Sequence, residues 1–122
     1  MTEIHRTLDA AILKAEFTET EVIEALEACI ALKTFSVCVR PCDIELAQKY
    51  CAGTETAVCV VLGFPHGDQL SVSKADEAAR YIEMGVDEID MVANYGWIRS
   101  GKMVDVSADI AGVAQQTRAA GI

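Results

Sequence analysis

The chain lacks several things, and each absence closes off a class of function. No apolar run approaches the roughly 18 residues that cross a bilayer. The first fourteen residues show no signal-peptide pattern, because Glu3, Asp9 and the neighbouring basic residues interrupt any apolar segment. No membrane association is expected, and a cytoplasmic location follows as the default. Basic residues are scarce: 10 Lys and Arg stand against 19 Asp and Glu, for a formal charge of −9. Nucleic-acid binding needs a basic face to meet phosphate, so no nucleic-acid partner is expected. One small phosphorylated ligand is still admissible, since a few cations or helix N-termini can hold it.

Cysteines number five, an odd count, and no two form a C-x-x-C pair. Neither a zinc site nor a disulfide framework is expected, and reduced, mostly buried thiols fit better. The two histidines, His5 and His66, make no metal-ligand spacing with each other or with the carboxylates. The expectation is therefore no metal and no cofactor. No Gly-x-Gly-x-x-Gly follows an apolar run, which removes a dinucleotide site. There is no linker or low-complexity stretch, and 122 residues suit one domain.

What is present is an alternation of helical and extended patterns. Thr18 and Glu21 have the spacing of a capping box, and Val22, Ile23, Leu26, Cys29 and Ile30 recur on one helical stripe. A helix over about 19–33 follows from this. Residues 35–39, Phe-Ser-Val-Cys-Val, read as a strand closed by Arg40-Pro41, with a helix over 43–51 stopped near Gly53. Residues 56–62 are almost continuously apolar and partly β-branched, as in a strand buried on both faces of a parallel sheet. A turn at Gly63–Gly67, a helix over 72–84 ending at Gly85, and a strand over 87–92 come next. A loop through Asn94, Gly96 and Gly101 leads to a helix over 104–120. Gly121 is its expected C-cap, and Ile122 is expected to open a further strand.

The order is one helix followed by three βα units, which implies an α/β fold with a parallel sheet and right-handed crossovers. Periodicity does not distinguish an open flavodoxin-like sheet from a segment of a closed barrel.

Some residues could carry chemistry. Asp90 stands in the apolar run Ile89-Asp90-Met91-Val92, where a buried carboxylate needs a partner. It is either a catalytic group or a structural partner for a backbone N–H or a lysine. Asp9, in Leu8-Asp9-Ala10-Ala11-Ile12-Leu13-Lys14, has the same character, or simply caps a short helical turn. Cys38 lies near the C-terminal end of its strand, the end that carries sites in barrels and open sheets alike. It reads as a site-lining residue or a small core hydrophobe. His66 reads as a surface turn histidine. Lys74, Asp76, Glu77 and Arg80 read as a charged helix face, with Lys74 in the first turn.

Four segments in order resemble one family. They are Phe35-Ser36-Val37-Cys38-Val39-Arg40-Pro41, then Gly63-Phe64-Pro65-His66-Gly67, the pair Lys74 and Glu77, and Gly85-Val86-Asp87-Glu88-Ile89-Asp90-Met91-Val92-Ala93-Asn94. They resemble the N-terminal half of the deoxyribose-phosphate aldolases, class I (Schiff-base) enzymes on a (β/α)₈ barrel. The resemblance makes the chain a single partial domain over 1–122, the first part of such a barrel. It implies interconversion of 2-deoxyribose 5-phosphate with glyceraldehyde 3-phosphate and acetaldehyde through a lysine Schiff base, without a metal. It also implies that Asp90 serves the proton shuttle, that Asp9 assists a second, pKa-lowering lysine, and that Cys38 and Asn94 line the substrate site. The chain departs from the family at Ala10-Ala11, where the family has a polar pair.

A barrel of this kind takes roughly 250 residues, and the family's Schiff-base lysine and phosphate loops lie in its second half. None of Lys14, Lys33, Lys49, Lys74 or Lys102 falls in a predicted strand or matches a catalytic lysine. By this reading all five sit in water, so no turnover is expected from the chain alone. Open sheet edges imply a homo-oligomer or association with a C-terminal half. Two alternatives stay open: a non-catalytic half-barrel that binds itself or a partner, and an independent flavodoxin-like domain.

Overall fold

The structure is a computed structural model and describes residues 3–122. It contains a four-stranded parallel sheet in the order β1-β2-β3-β4, with β1 at Asp9–Ile12, β2 at Ser36–Val39, β3 at Ala57–Leu62 and β4 at Glu88–Met91. The helices are α1 Glu19–Ala31, α2 Ile44–Cys51, α3 Ser71–Glu83, α4 Tyr95–Arg99 and α5 Met103–Ala120. Among the described residues no helix is long and apolar enough to cross a membrane.

Three expectations are corrected. The described residues form four strands, not three, because Asp9–Ile12 is a strand rather than a capped turn. Only four residues long and half alanine, it is held by parallel pairing with β2 (Asp9 opposite Ser36, Ile12 opposite Val39) and not by its own propensity. A five-residue helix, α4, occupies part of the predicted loop. Ile122 opens no strand; its N–H instead donates to the Thr117 carbonyl, closing α5 beyond the left-handed Gly121.

The described residues form two compact units, the first running to Val60 and including Val86–Glu88, the second comprising Val61–Gly85 and Ile89–Ile122. In the first, the capping box of α1 forms as the sequence predicts. Thr18 Oγ1 accepts from Glu21 N–H, and Glu21 Oε2 accepts from Thr18 N–H at 2.8 Å. These bonds hold Glu21 below the usual carboxylate range. Val22 and Leu26 are fully buried, each contributing roughly 1.5–3 kcal/mol by removal from water. The β2–β3 ladder sets Val37 opposite Val58 and Cys38 opposite Cys59, and all four side chains are buried.

Two arginines tie this unit's loops. Arg6 Nη1 donates to the carbonyls of Lys33, Thr34 and Glu55. Arg40 pairs with Asp43 at 2.6 Å and donates to the carbonyls of Lys14 and Ala15, fastening the segment after β1.

In the second unit α3 packs on α5, and Gln116 donates to the Ala75 carbonyl at 2.8 Å. The Val92 N–H donates to the Leu62 carbonyl; within the first unit the Asp87 N–H does the same to Val58. Both bonds advance in the same direction along β3 and β4, which is the parallel sense.

Candidate active site

In the first unit, strand pairing builds a small acidic and thiol cluster. The register sets Asp9 beside Ser36, and Ser36 Oγ donates to Asp9 Oδ1 at 2.6 Å. Side chains two apart on a strand share a face, so Cys38 follows Ser36 on that face, and Cys59 lies directly opposite Cys38. An Asp9 carboxylate oxygen and the two sulfurs all fall within 4.8 Å of one another. Both cysteines are buried, while Asp9 is exposed and gives the cluster its opening to solvent. A side-chain hydrogen bond with Cys38, burial, and the negative charges of Asp9 and Glu88 all push the Cys59 thiol up, so it is protonated at neutral pH. All five cysteines are free thiols: Cys38, Cys51 and Cys59 buried, Cys29 half-buried and Cys42 exposed.

The sequence singled out Asp9 and Cys38, and the structure brings them together. Ser36 and Cys59 were missed as site residues. Their place depends on which residue of β2 faces which residue of β1 and β3, and local pattern carries no register across a crossover.

In the second unit, the turn Gly63–Gly67 meets the end of β4. The Gly67 N–H donates to the Gly63 carbonyl at 2.7 Å, and the Phe64–Pro65 peptide is cis. Gly67 has φ +67, and a Cβ there would stand 2.4 Å from the Ala93 carbonyl oxygen, so only glycine admits this approach. Beneath the turn lies Lys74. Its Nζ donates to Asp109 Oδ2 at 2.6 Å and to the Val92 carbonyl at 3.0 Å. This corrects the reading of Lys74 as part of a solvated helix face, and with it the premise that all five lysines sit in water. The partner Asp109 is 35 residues away, so no local pattern marks the pair. Asp76 and Arg80 are exposed, as the charged-face reading holds, and Glu77 accepts from the Tyr81 hydroxyl at 3.1 Å.

Asp90 is exposed, as is Glu88, whereas Ile89 and Met91 are half-buried. The apolar run thus does not bury its carboxylate. Strict alternation turns Asp90 and Glu88 to one side of β4 and the two apolar residues to the other. Asn94 is buried and caps α4, its Oδ1 accepting from the Trp97 N–H at 3.0 Å. His66 is exposed, in agreement with the sequence reading, and its Nδ1 lies 2.7 Å from the Tyr95 hydroxyl.

No family model matches the chain. Among curated relatives it is 42% identical over 113 residues to a deoxyribose-phosphate aldolase of Mannheimia succiniciproducens, a match spanning 93% of this chain and 50% of that protein. It is 40% identical over 116 residues to a deoxyribose-phosphate aldolase of Enterococcus faecalis, spanning 95% of this chain and 53% of that one. The solved structure of QR15, an aldolase, superposes with a TM-score of 0.87 at 29% identity, covering 97% of this chain and 52% of the other. The chain therefore resembles deoxyribose-phosphate aldolases over nearly its whole length while spanning about half of theirs, consistent with their N-terminal half. Its four-stranded parallel sheet resembles the first part of a (β/α)₈ barrel.

Proposed function

We propose that this chain forms the first half of a deoxyribose-phosphate aldolase, one partial domain that contributes acid–base and pocket residues while a second half supplies the Schiff-base lysine. The reaction is cleavage of 2-deoxyribose 5-phosphate to glyceraldehyde 3-phosphate and acetaldehyde. The observation that carries the reading is the meeting of Asp9 with Cys38 on paired strands, in a chain 42% identical to such an aldolase.

The chemistry divides between the halves. A lysine amine adds to the substrate aldehyde, and the carbinolamine loses water to give an imine. Cleavage of the carbon–carbon bond then leaves an enamine that must be protonated and hydrolysed. Each step moves a proton, and carboxylates are suited to carry it. Asp90 takes that role in this reading. Its exposure fits an open half-barrel, in which the face that closure would enclose still meets water. Asp9, oriented by Ser36, stands ready to pair with a cationic amine. Cys38 borders the carbonyl, and Asn94 holds the end of β4 against substrate while capping α4.

Lys74 is not the nucleophile, because its nitrogen is buried and engaged by Asp109 and the Val92 carbonyl. The other four lysines are exposed. None of these four has the dry pocket around its nitrogen that attack on an aldehyde requires. The chain alone is thus expected to be inactive. Its partner is a second half or a further copy, and its setting is the cytoplasm, where five free thiols persist.

Borohydride trapping with acetaldehyde, read by intact mass, tests the reading. No lysine of this chain is labelled, and adding the C-terminal half of a related aldolase brings one label, on that half, together with turnover. Stoichiometric labelling and turnover from the chain alone would refute the assignment.

A further inference from the structure

We propose that Asp9, Cys38 and Cys59 form a binding site for a thiophilic divalent cation of the zinc type. The three groups come from three neighbouring strands, β1, β2 and β3, and their ligand atoms lie within 4.8 Å of one another. A tetrahedral zinc ion sets its ligand atoms about 3.3–3.8 Å apart, so modest side-chain rotation closes the set. Two thiolates and one carboxylate make a soft-leaning donor set, which favours zinc or cadmium over magnesium or calcium. The fourth position is left to water, on the side where Asp9 opens to solvent.

Two features favour a cation. Ser36 Oγ donates to Asp9 Oδ1 at 2.6 Å and fixes the carboxylate, as outer hydrogen bonds do around metal ligands. The Asp9 carboxylate also lies within 4.8 Å of both sulfurs, an anionic oxygen beside two soft donors. Binding exchanges protons for metal: each thiol S–H bond breaks as a sulfur–metal bond forms, and two protons pass to solvent per divalent ion. The expectation of no metal site rested on linear spacing, which cannot register ligands that strand pairing assembles.

If Asp9 and Cys38 border the carbonyl site, as proposed above, the cation would also exclude the aldehyde. The test is kept independent of that reading. Cobalt(II) is titrated anaerobically into the full chain, reduced with a phosphine, and thiolate-to-cobalt charge transfer is followed in the near ultraviolet. One ion per chain is expected, with release of two protons in weakly buffered solution and displacement by zinc. Cys38→Ser, Cys59→Ser and Cys59→Ala should each weaken binding at least tenfold, and Ser36→Ala about tenfold. Cys42→Ser and Cys29→Ser should change nothing. Circular dichroism identifies any variant that fails to fold, and the two Cys59 replacements together with Asp9→Asn then carry the comparison. No charge-transfer band, or a band that survives in folded Cys59 variants or disappears in Cys42→Ser, would overturn the site.

Discussion

Lys74 Nζ and Asp109 Oδ2 lie 2.6 Å apart, and each side chain is only 1% exposed, which makes this ion pair the anchor between α3 and α5. The remaining Asp109 oxygen, Oδ1, has no hydrogen-bond partner, so the pair bears a desolvation cost that its geometry only partly offsets. Removing one member strands the other as a buried charge. Lys74→Met is expected to cost about 3–5 kcal/mol in urea unfolding, while the double change Lys74→Met with Asp109→Leu costs much less. A double variant as unstable as the single one would show that the pair is worth its full Coulombic attraction.

Gly67 and Gly53 separate two causes of glycine dependence. Both have positive φ, +67 and +75, so alanine at either incurs a backbone cost of about 1–2 kcal/mol. Only at Gly67 would the new Cβ also meet backbone, at 2.4 Å from the Ala93 oxygen; at Gly53 nothing lies within 4 Å. Gly67→Ala should therefore destabilise by clearly more than Gly53→Ala, and the difference between their urea midpoints isolates the steric part.

How much was legible in the sequence varies element by element, for physical reasons. The α1 start was legible because Thr18 and Glu21 make their bonds within three residues of each other. β2 and β3 were legible because burial of Val37, Val39, Val58 and Val60 leaves a β-branched run in each. β1 was not, since Asp-Ala-Ala-Ile has little extended preference and takes its form from pairing with β2. At the candidate site, Asp9 and Cys38 stood out by residue type. Ser36 and Cys59 did not, because register is a property of two strands at once. Lys74 failed in the same way: its partner Asp109 lies on another helix, and a lysine three residues into α3 has the look of a solvated one.

The buried thiols predict alkaline sensitivity. Burial pushes Cys29 and Cys51 above their ordinary value of 9.0, and Cys59 is pushed up as well, first by Cys38 and then by burial. A group whose folded pKa is raised lends stability that is fully present below the unfolded pKa. That stability is lost as pH rises through the folded one, because the unfolded thiol has already released its proton. The free energy of unfolding from urea titrations should thus decline above about pH 9, by at most about 1.4 kcal/mol per pH unit for each thiol. Cys51→Ala should flatten the decline, whereas Cys42→Ala, at an exposed thiol, should leave it unchanged.

The proposal assigns proton transfer to Asp90, and the exposure of Asp90 on β4 makes that role separable from stability. Substitution at an exposed position away from caps and ion pairs changes stability by no more than about 0.5 kcal/mol. A positioned general acid or base contributes about 10²–10⁴ in rate. Asp90→Asn keeps the shape of the side chain and removes its capacity to take a proton. In the enzyme reassembled with a C-terminal half, it should lower kcat by two orders of magnitude or more with an unchanged urea midpoint. Schiff-base trapping should still reach completion on long incubation, though more slowly, because the proposal places the attacking amine on the other half while imine formation itself moves protons. Asp76→Asn, at an exposed helix position, is the control and should keep full activity. Loss of trapping together with turnover in Asp90→Asn would point to a role in binding or in assembly of the halves, and not in the proton shuttle.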